Sequence, residues 1–224
     1  MNALNLLVFA RCAGFVSRAP GFSHPSVPAP VRGGFALLLA MAVAPAVPVA
    51  GPTGDAALLL ALVVEFLIGG AIGMAASLLY DGAYAGGRVV DDYVGVRAIA
   101  PSLQLVAPSG FGRVWSLAFT GGFFLTGAYR LTLLGFTQSF TRMPPGSEPH
   151  LSAWGGFVAD FVTAFVTVAV QVAAPAVGLA FVVQIGLGAL SRVVPRFGSF
   201  TLAFPLAFAA ALVMTAIGLP EAVR

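Results

Sequence analysis

The chain contains no lysine, a single cysteine and two histidines in 224 residues. Charged side chains account for only 8% of the sequence, against roughly 25% in soluble proteins, which is too few to cover a soluble fold of this length. The lone Cys12 excludes an intramolecular disulfide and a metal cluster built on cysteines. The fixed positive charge comes from arginines scattered along the chain, so the basic stripe of a nucleic-acid-binding protein is missing.

Apolar residues take the place of the missing charges: they make up 59% of the chain, and its mean hydropathy is +0.98. The apolar runs are long and unbroken, whereas a membrane-spanning β-strand alternates apolar and polar residues. We therefore predict an all-α polytopic membrane protein of long, kinked helix hairpins with about six hydrophobic segments. We expect no cleaved signal peptide, because Arg11 interrupts the first apolar stretch and Pro20 stands where a small-residue cleavage site belongs.

Charges and prolines delimit the predicted segments. The first apolar run, 3–17, is short, and the prolines of 18–32 predict a stiff, partly extended connector after it. A polar, glycine-rich stretch at 81–97 is predicted to interrupt the spans, and we interpret Asp91 and Asp92 as part of a solvated loop rather than a cation site. The longer spans that remain are 33–48, 56–80, 114–140, 161–191 and 197–220, with a loop at 142–150.

Glu65 is the most unusual residue of the predicted spans, because a carboxylate in lipid costs about 2.5–3.5 kcal/mol and should therefore face protein or water. Gly69 and Gly73 follow it at steps of four residues and form a small-xxx-small pattern, which allows a second helix to approach closely. We favour a structural tie between helices for Glu65 over a proton relay or an ion site, because no second acid lies nearby in the same span.

No sequence motif predicts a catalytic or metal site. The serines lack a GxSxG context, and no histidine lies inside a predicted span. His24 and His150 stand in separate proline-rich loops without ligand spacing. We therefore expect neither an enzyme nor a bound cofactor. In the longest span, Pro175 cannot donate to the carbonyl of Gln171, so this carbonyl needs another donor.

Several short motifs, taken in order along the chain, resemble the FliR family of flagellar biosynthesis proteins and its injectisome counterpart, the export-apparatus protein T of type III secretion. No single motif is specific for the family, but their order along the chain is. The match covers nearly the whole chain and is poorest at 113–160. The motifs are Arg11, Ala19-Pro20-Gly21-Phe22, Val27-Pro28-Ala29-Pro30-Val31-Arg32, Glu65-Phe66-Leu67-Ile68-Gly69 with Gly73, Gly86-Gly87 with Asp91 and Gly95, Ala174-Pro175, and Gly188 to Phe197 with Ser191-Arg192 and Pro195-Arg196.

The resemblance implies a subunit of a protein-export gate, built as one integral membrane domain within a helical pore assembly. Its N-terminal part, 1–112, resembles the P/R-type subunit, and within 113–224 a hairpin at 156–220 resembles the Q/S-type subunit. The expected partners are five P/R-type subunits, four Q/S-type subunits, a B/U-type switch protein, membrane lipid and unfolded exported proteins, without nucleic acid. The expected location is the bacterial inner membrane, as a multi-pass protein displaced toward the periplasmic side within the basal body.

The resemblance also implies roles for individual residues. The costly charges Arg11 and Glu65 would face neighbouring subunits. A central loop would plug the closed pore, and by alignment it comprises Pro101, Ser102, Leu103, Gln104, Leu105, Val106, Ala107, Pro108, Ser109, Gly110, Phe111 and Gly112. Helix packing and assembly would depend on Arg11, Pro20, Pro28, Arg32, Glu65, Gly69, Gly73, Gly86, Pro175, Arg192 and Pro195.

A second function stays open at this point. Glu65, with Asp91 and Asp92, is also the set of acids that a small proton- or ion-coupled transporter would use. Such a transporter would work alone or as a homo-oligomer and would lose activity on Glu65→Gln. The sequence also leaves open whether the export system is flagellar or an injectisome.

Overall fold

The computed structural model describes residues 3–23, 27–47, 55–95, 110–147, 151–194 and 200–222. These residues form helices and their connections, and no strand occurs among them. The helices are α1 (Ala3–Arg18), α2 (Ala29–Val43), α3 (Asp55–Val94), α4 (Phe111–Leu125), α5 (Ala128–Arg142), α6 (Leu151–Ser191) and α7 (Phe200–Ala222), and a short 3-10 turn (Ala44–Ala46) follows α2.

The helices confirm the prediction of an all-α polytopic membrane protein. Within the described ranges, three helical stretches are long and apolar enough to cross a membrane, and a fourth exists if α4 and α5 form one bent span. The stretches are Ala29–Ala46, Ala56–Val94 and Trp154–Ser191. At 1.5 Å per residue, α3 and α6 are each about 60 Å long, roughly twice the hydrocarbon thickness of a bilayer.

The chain divides into two compact units that interleave along the sequence. Unit 1 comprises Met1–Leu78 and Phe123–Phe161, and unit 2 comprises Leu79–Gly122 and Val162–Arg224. The long helices α3 and α6 each contribute to both units. The division of the chain at 112/113 by likeness to two smaller subunits stays a prediction.

The core of unit 1 is built around α1. One face of this short helix is buried at helical spacing, at Val8, Cys12, Phe15 and Val16, while Phe136 and Phe140 of α5 belong to the same cluster. The rings of Phe15 and Phe136 stack with centroids 4.3 Å apart. A helix of 16 residues is too short to cross a bilayer upright, and its buried face explains why it is stable.

Small side chains dominate the core of unit 2. Ala173, Ala176 and Ala180 of α6 and Ala207 and Ala211 of α7 are all buried in one cluster. Side chains of this size let helix backbones approach closely, and close approach is the main source of packing energy between helices in a membrane.

The predicted break at 81–97 is wrong, because α3 continues without interruption to Val94. Methyl groups on Gly82 and Gly86 would collide with α6 at Val168 and at the Ala169 carbonyl, respectively, so these glycines permit close helix packing. Their packing offsets the helix propensity that each glycine loses, about 1 kcal/mol relative to alanine. The helix ends at Gly95, whose φ of +83° is the left-handed conformation of a C-terminal cap.

The segment predicted as one span at 114–140 is not a single continuous helix, because two helices, bent by 76° relative to each other, occupy it. They are separated at Thr126 and Gly127, and Gly127 adopts a φ of +77°, which ends the α-helical path. The loop predicted at 142–150 is confirmed over its described part, since α5 ends at Arg142 and α6 begins at Leu151. The connector predicted at 18–32 is shorter than expected, because α2 already begins at Ala29 with Pro30 in its first turn.

Helix α6 runs through Pro175 without a break in its assignment. The proline still removes the donor to the Gln171 carbonyl one turn earlier.

Two adjacent glycines of α3 offer a test of the packing of α1. A methyl group on Gly69 would overlap the backbone carbonyl of Arg11, whereas the nearest neighbour of a methyl group on Gly70 would be the carbonyl oxygen of Gly14 at 3.9 Å. We expect Gly69→Ala to lower the thermal unfolding midpoint of the detergent-purified chain, at a cost of about 1–3 kcal/mol for overpacking. Gly70→Ala should leave it unchanged or raise it, because alanine favours the helix by about 1 kcal/mol.

Candidate assembly site and gate anchor

The deepest polar feature of unit 1 is a buried ion pair between Arg11 of α1 and Glu65 of α3. Arg11 Nε donates to Glu65 Oε2, and the two side chains are 0% and 1% exposed. The pair lies where α1 and α3 approach most closely, since Gly69 and Gly73 present bare backbone to α1. It therefore joins two helices whose closeness depends on the glycine pattern that follows Glu65.

Other side-chain atoms of the pair form hydrogen bonds with a third helix and with the turn after it. Arg11 Nη1 donates to the Ser139 carbonyl oxygen at 3.0 Å, and Glu65 Oε1 accepts from the Gly146 backbone N–H at 2.9 Å. The guanidinium carbon of Arg11 also lies 4.5 Å from the ring centroid of Phe140, within the range of a cation–π contact. One ion pair thus ties α1, α3, α5 and the turn 143–147 together.

Arg11 and Glu65 both lie inside unit 1, whereas we expected each of these charges to face a neighbouring subunit. The structure pairs them with each other, so their charges are compensated within the chain. The tie between helices that we favoured for Glu65 is present in the structure, and its role in assembly stays a prediction. Sequence reasoning missed the partner, although a lone arginine and a lone glutamate in apolar helices are a signal for such a pair.

Unit 2 contains a second buried carboxylate, Asp91 of α3. Its Oδ1 accepts a hydrogen bond from the Phe111 backbone N–H at 3.1 Å, and the residue is 1% exposed. Phe111 is the first residue of α4, so the carboxylate lies at the positive end of this helix and binds one of its free amide groups. The solvated loop predicted for Asp91 and Asp92 is therefore wrong, because both residues are helical and Asp91 is buried.

The C-terminal end of the predicted pore plug, Phe111 and Gly112, packs within unit 2. Phe111 and Gly112 belong to the first turn of α4, and the Phe111 ring lies 5.4 Å from the ring of Phe208 in α7. Gly87 of α3 faces Gly112 so closely that a methyl group would overlap the Gly112 backbone. The expected plug residues 101–109 lie outside the described residues. Asp91 and Gly87 thus hold the start of α4 against α3.

The remaining residues predicted for helix packing are in different environments. Pro20 is buried in the turn after α1, and Pro28 is exposed immediately before α2. The side chain of Arg32 is half-buried, and its Nε donates to the Val27 carbonyl oxygen at 3.1 Å, which closes the first turn of α2. Gly86 packs against α6.

At the far end of the chain the predicted residues are on the surface of the described region. Pro175 is exposed inside α6, and Arg192 is exposed in the turn that follows it. Pro195 lies outside the described residues. Among the described residues, no group of three or more histidine, cysteine, aspartate or glutamate side chains is arranged to hold a metal ion.

Comparison with protein families decides which class of protein carries these features. A family model for bacterial export proteins, family 1, matches residues 3–224. The chain belongs to this family. The resemblance seen in the ordered motifs is thereby confirmed, and it covers α1 through α7 of this export protein.

Three curated relatives show the range of similarity. Flagellar biosynthetic protein FliR of Bacillus subtilis is 29% identical over 218 residues, which cover 93% of this export protein and 83% of the relative. FliR of Caulobacter vibrioides is 26% identical over 223 residues, with coverages of 95% and 87%. FliR of Escherichia coli is 26% identical over 216 residues, with coverages of 94% and 82%.

Breaking the buried ion pair should destabilise the export protein strongly. We expect Arg11→Met and Glu65→Gln each to reduce the free energy of unfolding by about 3–5 kcal/mol, because each leaves an uncompensated buried group. The double variant should lose clearly less than the sum of the two single losses. Thermal or denaturant unfolding in detergent measures all three, with exposed Arg18→Met of the same helix as the matched control. Additive losses would show that the two side chains are not coupled.

Removing the Asp91 carboxylate should loosen the start of α4. We expect Asp91→Ala to cost about 0.5–2 kcal/mol, the usual loss for a helix-capping side chain. Amide hydrogen exchange at residues 111–114 should then accelerate, with little change in α5. Asp92→Ala is the matched control, because Asp92 is the exposed neighbour in the same helix turn. Unchanged exchange at 111–114 in the Asp91 variant would show that Asp91 does not anchor this helix.

Proposed function

We propose that this protein is a structural subunit of the export gate of a flagellar type III secretion system. The observation that carries the proposal is the family match over 3–224 together with the relatives named flagellar biosynthetic protein FliR. These relatives favour the flagellar system over an injectisome. The proposed location is the inner membrane, as a multi-pass protein displaced toward the periplasmic side within the basal body.

The proposed role is structural rather than catalytic. Glu65 and Asp91, two of the acids that a transporter would use, are both buried and both engaged in hydrogen bonds that hold helices in place. This arrangement supports a framework in which charge compensation fixes helix positions. No feature of the described residues favours a proton-coupled transporter over this reading.

The proposed partners are those of the export apparatus: five P/R-type subunits, four Q/S-type subunits, the B/U-type switch protein and unfolded substrates. Both units carry large apolar side chains on their surfaces, including Leu125 and Leu131 in unit 1 and Val182 in unit 2, which are 88%, 72% and 63% exposed. Surfaces of this kind suit contact with neighbouring subunits and with lipid. We further propose that 101–112 plugs the closed pore and that Asp91 holds its C-terminal end.

Complementation of a strain that lacks this gene tests the proposed function. We expect the wild-type chain and the Gly70→Ala variant to restore flagellar filaments and motility, and Gly69→Ala to restore them less well because α1 docks more weakly on α3. Affinity purification of the tagged wild-type chain should recover the P/R-type and Q/S-type subunits in one complex. A stable homomer in the presence of those subunits would contradict the proposal, and motility lost on Glu65→Gln with an intact complex would favour the transporter.

A further inference from the structure

Unit 2 contains a half-open cavity of about 540 Å³ that is lined by α3, α4, α6 and α7. Its walls are mostly apolar, and they include the aromatic rings of Trp115 and Phe119. The volume lies in the range of small-molecule sites, roughly 300–1,000 Å³. The cavity is distinct from the Arg11–Glu65 pair and from the Asp91 anchor, so it has no part in the proposed structural role.

Two buried polar groups on the cavity wall have no hydrogen-bond partner. Trp115 is 4% exposed and Thr215 is 2% exposed, and neither Trp115 Nε1 nor Thr215 Oγ1 is hydrogen-bonded. Gln171 and Pro175 also line the cavity, and Pro175 lacks the N–H that would bind the Gln171 carbonyl in a regular helix. Unsatisfied buried groups of this kind are rare in proteins and indicate a missing partner.

The chemistry of the wall defines the class of partner. Trp115 Nε1 is a donor only, and the Thr215 hydroxyl can donate or accept. None of the described residues that line the cavity is ionisable. A phosphate or another charged headgroup therefore finds no counter-charge there, whereas a neutral molecule with hydrogen-bonding oxygens and an apolar body matches both the polar groups and the walls.

We infer that this cavity binds the neutral glycerol-ester and acyl region of a membrane phospholipid. Bilayer lipid surrounds a membrane protein of this kind at high concentration, and tryptophan N–H groups favour the zone between apolar chains and polar groups. Ester oxygens accept from Trp115 Nε1 and Thr215 Oγ1, and the acyl chain fills the apolar remainder. The inference depends on insertion of the chain in a membrane and not on its role in export.

The fluorescence of Trp115 provides the test, because the chain has only two tryptophans. We consider the full-length Trp154→Phe variant in vesicles of phosphatidylcholine with brominated acyl chains, which quench indole emission on close contact. We expect Trp115 to lose more than half of its emission relative to vesicles of unbrominated lipid. Emission that is unaffected by bromine would overturn the inference and would indicate water or a protein segment in the cavity. The reciprocal Trp115→Phe variant reports on Trp154, which lies outside the cavity.

Cavity-filling variants separate bound lipid from lipid that merely surrounds the protein. In the Trp154→Phe background, Thr215→Met places a larger side chain in the cavity and should remove most of the bromine quenching. Thr215→Ser keeps the hydroxyl and should be quenched like the parent. Leu79→Phe fills the same cavity from a half-exposed position and repeats the test if Thr215→Met does not insert. Equal quenching in a filled variant and its parent would show that Trp115 senses only the surrounding bilayer and would refute the site.

Discussion

The packing of unit 1 depends on a buried ion pair between two helices that only glycines allow to meet. Arg11 and Glu65 are 54 residues apart in the chain and fully shielded from solvent. Each charge would be costly alone in an apolar surrounding, and each has a further hydrogen-bond partner in α5 or the turn after it. The pair thus favours this arrangement of α1, α3 and α5, because separating the helices would leave both buried charges unpaired.

The helices of unit 2 are held in place by a different kind of interaction. Alanines dominate its core, so helix backbones pack closely by shape, and the buried carboxylate of Asp91 binds the first amide of α4. Where the packing leaves space, the wall contains neutral polar groups rather than charges. Unit 1 therefore combines close packing at glycines with a buried ion pair, whereas unit 2 combines close packing of small residues with a cavity that has no ionisable group among its described lining residues.

The class of fold followed from composition, and the family followed from the order of short motifs such as Glu65 to Gly73 and Ser191-Arg192. The sequence-based predictions that the structure corrects failed for physical reasons. Helix propensity is low at Gly82, Gly86 and Asp91, but contacts with α6 and α4 keep these residues helical. The local sequence pattern does not predict such contacts between distant residues. Hydropathy alone cannot detect the left-handed Gly127 that divides 114–140. The partner of Arg11 could be expected by charge, but its position required the fold.

The most direct measurement of the central claim uses Cys12, the chain's single thiol, which is fully buried next to Arg11. In native membranes, we expect Cys12 of the wild-type protein to resist a membrane-permeant maleimide. The same thiol should react rapidly in Glu65→Ala, because loss of the carboxylate leaves Arg11 unpaired and releases α1 from α3. Equal reactivity of Cys12 in the two proteins would contradict the claim that the Arg11–Glu65 pair holds unit 1 together.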